Sequence, residues 1–284
     1  MGNNNSKPDR KSIIHEEHFV IKKKYSQNFL LDGNIISNII DKAEIDNNTG
    51  VIEIGPGLGA LTKLIVKKAK KLLVYEVDTD LIQYLNEFFS EYDNFHLKNE
   101  DILKADINLD IKDYLFDVDK IVVVSNLPYH ITTPIIMRFL EEVSGVDSLI
   151  LMMQLEVARR ITSKPNTKDY NALSIIIQHQ TDAKYLFKVP KTVFYPRPNV
   201  DSAVIRLGIK DIKNSEYQGF YRFVHNCFMQ RRKTLVNNLN SAYKDVSKEL
   251  IVDLIQELGI DALARAESLE LKDFLSIYTC LLKI

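Results

Sequence analysis

A strand-like apolar run, "IVVVS", ends at the turn Asn126-Leu127-Pro128-Tyr129. The proline stiffens the turn and restricts the residue before it. The Asn126 oxygen and the Leu127 carbonyl could accept hydrogen bonds from an exocyclic amine, while Tyr129 offers a flat face on which a base can stack. The turn therefore suits a base whose amine is the reacting group. The alternative is an ordinary turn in which the asparagine satisfies backbone groups.

A glycine loop, "EIGPGLG", follows another short apolar run. Gly55 and Gly57 allow positive φ and a close approach of a ligand to the backbone, beside the first N–H groups of a predicted helix. Glu76 ends the next predicted strand, where an acid binds ribose hydroxyls in doubly wound folds. Asp101 ends the third predicted strand and could accept a bond from an adenine amine.

These acids narrow the class of ligand. Together with Glu53, just before the glycines, they suit a nucleoside with a charged amino-acid tail, so we expect S-adenosylmethionine as the cofactor. Two alternatives are a tight turn without a ligand and a nicotinamide or flavin enzyme, since Gly55, Gly57 and Ala60 fit the relaxed dinucleotide pattern. Asn126 ends the fourth strand and is expected in the same crevice.

The elements that would position these residues alternate along the chain. Strands are predicted in "GVIEIGPG", "KLLVYEVD", "NFHLKNEDI", "DKIVVVSN" and "SLILMMQ", with amphipathic helices between them, including one in "LGALTKLIVKKA". Lys67–Lys71 would then end that helix, where cations complement the helix dipole. Such alternation predicts right-handed βαβ units and a parallel sheet covered by helices on both faces.

The pattern changes after about residue 183. Two strands, in "KYLFKVP" and "NVDSAVIRLGI", flank a proline-rich turn, and from about Ile209 the chain reads as helical. We expect a domain of residues 1–208, with a polar extension over residues 1–21, and a smaller all-helical domain of residues 209–284. The C-terminal phenylalanines and tyrosines stand at the spacing of core residues.

Composition excludes several classes of protein. Two cysteines provide neither a disulfide framework nor a metal cluster, so we expect no metal and a reducing, cytoplasmic setting. No apolar run is long enough for a membrane helix, and we expect no secretory signal. The net charge of −1 does not exclude nucleic acid, because binding depends on a local patch of charge.

Six motifs occur in the order "KKYSQNFLLD", "VIEIGPGLGALT", "YEVDTDL", "NEDIL", "SNLPYHITTPI" and "FYPRPNVDSAVIRL". Together they resemble the ribosomal RNA adenine N6-dimethyltransferase family, and "FMQRRKTLVNNL" extends the match toward the end of the chain. "NLPY" and "RRKTLVNNL" resemble its KsgA-type branch, which dimethylates two adjacent adenosines near the 3′ end of small-subunit rRNA. The alternative branch is Erm-type, which modifies one adenosine of large-subunit rRNA and gives macrolide resistance.

The resemblance implies a Rossmann-like α/β methyltransferase fold and a role for each matching residue. The target pocket would comprise Asn126, Leu127, Pro128, Tyr129 and Phe194, with the Phe194 ring on the other face of the base. The cofactor would contact Gln27, Asn28, Leu30, Gly55, Gly57, Glu76, Val77, Asp101, Ile102 and Asn126. Ser26 stands where the family usually has glycine, so we expect this loop to be less free to order on cofactor binding.

Basic residues would hold the rRNA, because phosphate contacts supply much of the affinity of RNA-binding proteins. The candidates are Lys22, Lys23, Lys24, Arg197, Arg231, Arg232 and Lys233, although a run of charge is more often a solvated face. The expected partner is small-subunit rRNA within a pre-30S particle, bound by a monomer without a membrane. A non-catalytic assembly or transcription factor is the alternative from another class.

Overall fold

The computed structural model describes residues 28–212 and 217–283, so Lys22–Lys24, Ser26 and Gln27 lie outside the described residues. The chain divides into two compact units. The first consists of the described residues up to Leu155 together with Tyr185–Ile209. The second consists of Glu156–Lys184 together with the described residues from Lys210 onward. Residues 156–184, which the sequence pattern places in the N-terminal domain, thus group with the mainly helical second unit.

The strands of the described chain form one large sheet and one small ribbon. They are β1 (Phe29–Leu30), β2 (Thr49–Ile54), β3 (Lys71–Glu76), β4 (Phe95–Asn99), β5 (Lys120–Asn126), β6 (Ser148–Gln154), β7 (Thr181–Val189), β8 (Phe194–Tyr195) and β9 (Ser202–Ile209). The large sheet has the order β4-β3-β2-β5-β6-β9-β7, and the ribbon pairs β1 with β8.

Strands β2 to β6 pair in parallel, which confirms the predicted alternation of strands and helices. Every residue of β2 is buried, as are Ile121–Ser125 of β5, which explains their nearly continuous apolar runs. β9 lies antiparallel to β6, an arrangement that the alternation does not predict. Because β2 pairs in parallel with both β3 and β5, it has a parallel neighbour on each side and lies inside the sheet.

Helices of ordinary amphipathic pattern accompany the sheet strands. The helices are α1 (Gly33–Lys42), α2 (Thr62–Ile65), α3 (Thr79–Phe89), α4 (Ile107–Tyr114), α5 (Thr132–Glu141), α6 (Leu155–Ile161), α7 (Ala172–Gln180), α8 (Tyr217–Cys227), α9 (Leu235–Ala242), α10 (Lys248–Glu257) and α11 (Leu271–Leu281). α3 begins at the N-cap Asp78 and buries Leu81, Leu85 and Phe89, which stand at helical spacing. No helix in the described part of the chain is long and apolar enough to cross a bilayer.

Lys67–Lys71 do not end a helix, so the predicted reason for their structural role is wrong. α2 ends at Ile65, so these lysines do not occupy a last helical turn. They form ion pairs instead: Lys71 Nζ lies 2.6 Å and Lys70 Nζ 3.2 Å from the carboxylate of Asp117. The cluster is structural, as expected, but through local acids and not through a helix dipole.

The ribbon of β1 and β8 joins two distant segments of the first unit. Phe29 pairs with Tyr195 and Leu30 with Phe194, and Leu31 N donates to Val193 O at 3.0 Å. Phe29, Leu30 and Phe194 are all buried in the same hydrophobic core. The sequence predicts a turn around Phe194, so this pairing is a finding of the structure.

Aromatic residues form the core of the second unit, as their spacing predicts. Phe220, Phe223 and Phe274 are buried, and the Phe228 and Phe274 rings stack at 5.7 Å. Tyr170, from the segment before α7, donates its hydroxyl to Leu269 O at 2.8 Å. Residues 156–184 therefore belong to this core and are not peripheral to it.

The helix predicted through "FMQRRKTLVNNL" is interrupted at its basic residues. α8 ends at Cys227 and α9 begins at Leu235, capped by the Thr234 side chain. The buried Asn238 amide donates to Cys227 O at 2.8 Å and to Gln230 O at 3.2 Å, and it accepts from Gln230 N at 3.2 Å. One side chain thus holds the turn that carries Arg231–Lys233.

We predict that Asn238→Ala lowers the free energy of unfolding by about 2–4 kcal/mol, because it leaves several buried backbone groups without a partner. Asn237→Ala is the matched control, since it makes the same change of helix propensity one residue away in α9. Urea unfolding of both variants measures the difference. Equal stabilities of the two variants would contradict the role of Asn238.

Candidate active site

The carboxyl ends of β2, β3 and β5 meet at one edge of the sheet, and a cavity of about 350 Å³ lies there. It is bounded by the loops that follow these strands and β4, and by the segment around β1. The predicted residues that line it are Asn28, Leu30, Gly55, Gly57, Glu76, Val77, Asp101, Ile102, Asn126, Leu127, Pro128 and Tyr129. Its size falls at the lower end of ordinary ligand pockets, which hold roughly 300–1,000 Å³.

The glycine loop forms the floor of the cavity next to β2. Gly57 has φ +57°, a conformation that side chains with a Cβ rarely adopt. A Cβ at this position would also lie 3.1 Å from the ring of Phe29. The loop therefore needs glycine both for its conformation and for its contact with β1.

Glu76, at the end of β3, is buried and held by backbone donors. Its Oε1 accepts from Val77 N at 2.8 Å and from Asp78 N at 2.9 Å, and Gly57 N donates to the same carboxylate. Burial nevertheless raises the pKa of Glu76, because desolvation outweighs these bonds. A carboxylate has roughly four acceptor positions and these donors use three, so one position is left to accept a hydroxyl of a ligand.

A turn after β4 carries Asp101 and Ile102 to the cavity. Asp101 Oδ1 accepts from Leu103 N at 3.0 Å, which gives the turn its local shape. Arg138 of α5 donates from Nη1 to Ile102 O and from Nη2 to Ala105 O, each at 2.6 Å. Its side chain is only 15% exposed. The guanidinium therefore fastens the turn to α5.

The orientation of the Asn126 side-chain amide is fixed by its hydrogen bond. Its Nδ2 donates to Asn28 O at 3.2 Å, and a carbonyl oxygen can only accept, so the amide nitrogen must face Asn28. One residue earlier, Ser125 Oγ donates to Ile54 O at 2.6 Å across the β2–β5 pair. These bonds fix the position of Asn126 relative to the glycine loop.

Pro128 and Tyr129 continue the turn along the cavity wall. Pro128 O accepts from Ile131 N and from Thr132 Oγ1, each at 3.2 Å. The Tyr129 hydroxyl shares a hydrogen bond of 2.8 Å with Ser202 Oγ of β9. Burial raises the pKa of Tyr129, which therefore keeps its proton. The ring is thus held at both ends, by the backbone turn and by its hydroxyl.

A family model described as ribosomal RNA adenine dimethylase matches residues 18–283. The chain belongs to this family. The small subunit methyltransferase A of Staphylococcus haemolyticus is 44% identical over 273 residues, which are 94% of this chain and 92% of the relative. That of Bacillus pumilus is 44% identical over 280 residues, 96% and 95% of the two chains. The resemblance stated from the motifs is confirmed.

Solved structures agree on the methyltransferase fold. A dimethyladenosine transferase from Plasmodium falciparum superimposes with a TM-score of 0.76, at 24% identity, over 90% of this chain and 98% of the other. The 23S rRNA methyltransferase ErmE gives 0.68 at 24% identity, over 88% and 98%. Both likenesses concern the fold and do not distinguish between the branches of the dimethylase family.

Phe194 is the predicted target-pocket residue that the structure does not bring to the cavity. It is 4% exposed, packs in the core and is absent from the described cavity wall, whereas the neighbouring Tyr195 is 42% exposed. Its pairing with Leu30 explains the burial. Stacking of Phe194 on a base stays a prediction that no contact in the structure supports.

Arg197, predicted to contact RNA, is exposed between β8 and β9 and likewise does not line the cavity.

Sequence reasoning missed the side chains that hold the site from a distance. Arg138, Ser125 and Ser202 each bond to a segment far away in sequence. Arg138 is the single cation of a largely apolar helix, and the two serines lie within strands. No sequence motif around any of these residues indicates a contact. Only a three-dimensional arrangement reveals these contacts.

The raised pKa of Glu76 predicts a dependence of stability on pH. The folded state holds the proton more tightly than the unfolded state, so the free energy of unfolding falls as pH rises above the ordinary value of 4.5. Glu76→Gln removes this cost at neutral pH. We expect its melting temperature to exceed that of the wild type near pH 7, with the difference closing below about pH 4.

Thermal melts across this pH range measure the effect, and Glu87→Gln, at an exposed position of helix α3, is the control. A gain in stability that is the same at every pH would contradict desolvation of the Glu76 carboxylate as the cause. A similar pH dependence in the control would point to the general charge of the protein.

Arg138→Met should loosen the Asp101–Ala105 turn, because two carbonyls lose their charged donor. Hydrogen exchange at the amides of Leu103, Lys104 and Ala105 is expected to become at least about tenfold faster, the change that a loss of ~1.4 kcal/mol in local stability gives. Glu142→Gln is the control, since it removes the ion pair with Arg138 Nε and keeps both carbonyl bonds. Unchanged exchange in Arg138→Met would show that the turn holds itself.

Proposed function

We propose that this chain transfers methyl groups from S-adenosylmethionine to N6 of two adjacent adenosines in the 3′-terminal hairpin of small-subunit rRNA. The observation that carries the proposal is the fixed amide of Asn126 in the same cavity as Glu76 and Asp101. The relatives at 44% identity, which are named small subunit methyltransferase A, support the choice of rRNA. The proposed setting is the cytoplasm, on a pre-30S particle, with the protein acting as a monomer.

The residues around the cavity fit the cofactor. Glu76 would bind the ribose, Asp101 and Ile102 the adenine, and Gly55 and Gly57 the methionine end, with Val77, Asn28 and Leu30 completing the wall. The buried carboxylate and the glycine loop, whose backbone lines the cavity, are the two features that a nucleoside with a charged tail requires. S-adenosylmethionine supplies an electrophilic methyl group on its sulfonium sulfur.

Asn126 and Leu127 would orient the amine of the target adenine. Since Asn126 Nδ2 is engaged with Asn28 O, its Oδ1 is the atom that can accept an N–H of the amine. The Leu127 carbonyl is the second proposed acceptor, because Pro128 O already receives two bonds. Two acceptors stabilise positive charge that develops on the nitrogen, so no strong general base is required.

Tyr129 would hold the base once it has left its stack, as enzymes that modify bases require. Its hydroxyl is fixed by Ser202, so the ring is positioned before the base arrives. Stacking of a base on an aromatic ring contributes roughly 1–3 kcal/mol. The preorganised ring would thus lower the entropy cost of target capture.

The Erm-type alternative is disfavoured by the level of identity. The likeness to ErmE stands at 24% and supports the fold alone, whereas the relatives named for the small subunit reach 44% over nearly the whole chain. A non-catalytic assembly factor would not need the polarity of Asn126 to be fixed. Methylation of small-subunit adenosines by the purified protein separates all three possibilities.

We predict that Asn126→Ala lowers methyl transfer by roughly 100-fold or more, as the loss of one preorganised transition-state contact does. Asn126→Asp should also be inactive, because a carboxylate would face the carbonyl of Asn28. The assay is transfer of labelled methyl from S-adenosylmethionine to immature small subunits, with calorimetry of cofactor binding beside it.

Asn199→Ala is the control for this test, since Asn199 is exposed and does not line the cavity. The rate is expected to fall far more than cofactor affinity in both Asn126 variants. Full activity of Asn126→Ala would overturn the assigned role. Methylation of large-subunit rRNA alone by the wild type would replace the proposed substrate with that of the Erm-type branch.

A further inference from the structure

Three segments of the second unit meet at one place on its surface. They are residues 164–168 before α7, residues 231–235 between α8 and α9, and residues 264–267 before α11. Asn166 N donates to Glu267 O, Arg231 Nη2 to Lys168 O and Leu235 N to Ala264 O, each at 2.8 Å. The contact joins the basic turn to a segment that the sequence pattern places in the N-terminal domain.

The three segments are strongly basic. They contain six cations, Lys164, Lys168, Arg231, Arg232, Lys233 and Arg265, and one acid, Glu267. All six cations are exposed, whereas Glu267 is half-buried. The sole acid lies 3.0 Å from Arg231 Nε, so it neutralises that arginine and leaves a net charge of +5 (six cations minus one acid).

Arg231 differs from its neighbours because its guanidinium is committed to the protein. It bonds at once to the Glu267 carboxylate of one segment and to the Lys168 carbonyl of another. This use of a planar fork to bridge two acceptors is particular to arginine. The sequence pattern indicates Arg231 as a contact for phosphate, whereas the structure places it as the link between segments.

We propose that Lys164 and Lys168 contact rRNA phosphates together with Arg232 and Lys233, on a surface that Arg231 builds without contacting phosphate itself. The proposal rests on the proposed function, since it takes rRNA as the partner. Closely spaced lysines and arginines on a rigid support suit the sugar–phosphate backbone, whose charge repeats along the strand. Arg231 is a positioning residue, and the turn that carries it is held in addition by Asn238.

The test measures the affinity of the full-length protein for a labelled RNA hairpin of the small-subunit 3′ end, over a series of KCl concentrations. Lys164→Gln and Lys168→Gln should each weaken binding roughly fivefold near 0.1 M salt and reduce the slope of log Kd against log[KCl] by about 1. Lys248→Gln is the control, because Lys248 is an exposed cation of α10 outside the three segments.

Arg231→Lys separates a positioning role from a phosphate contact. Lysine keeps the charge but cannot bridge Glu267 and Lys168, so we expect weaker RNA binding and faster hydrogen exchange at the Asn166 amide. If Arg231 were only a phosphate contact, Arg231→Lys would keep the charge, and with it the salt slope and the slow exchange at the Asn166 amide. Slow exchange at Asn166 in the variant would likewise overturn the positioning role.

Two results would refute the surface. One is a salt slope in both lysine variants equal to that of Lys248→Gln, which would leave a solvated basic face. The other is unchanged affinity of both lysine variants for the hairpin and for intact small subunits alike. Neither result contradicts the proposed function. That function is tested separately and fails if the wild-type protein methylates no small-subunit adenosine.

Discussion

The whole site depends on β2 lying between two parallel neighbours. β3 pairs on one side and β5 on the other, so the chain leaves β2 in one direction and returns on the opposite side. Such a reversal of strand order opens a crevice at the carboxyl ends of the strands. The glycine loop, Glu76 and Asn126 share one cavity because they lie at the carboxyl ends of these three strands. The Ser125–Ile54 bond then fixes how far β5 extends past β2, and with it the height of Asn126.

Much of the fold and of the cavity wall was predictable because both depend on local pattern. Continuous apolar runs marked β2 and β5, and acids or an amide at the end of such runs marked the strand ends that line the cavity. A parallel sheet then brings these ends together whatever the details of packing. For this reason Gly57, Glu76, Asp101 and Asn126 were found from the sequence.

Contacts between distant segments were not predictable, since they depend on which side chains happen to meet. Ser202 holds Tyr129 across 73 residues, and Arg138 reaches back to Ile102 across 36. Phe194 shows the opposite case: an aromatic residue in a functional motif is buried, because its strand pairs with β1. Arg231 shows that a basic motif identifies a surface but does not say which of its cations is occupied within the protein.

The division of the second unit into two separate stretches of chain affects how the protein is made. Glu156–Lys184 leaves the ribosome before Tyr185–Ile209, which contains β9, the neighbour of β6 in the first unit's sheet. Part of the helical unit is therefore synthesised before the last strands of the sheet. At that point the helical unit still lacks helices α8 to α11. Neither unit is one continuous stretch of chain, so the segments of the two units are synthesised alternately. A fragment that begins at residue 209 would lack Tyr170 and α7, and with them a side of its own core.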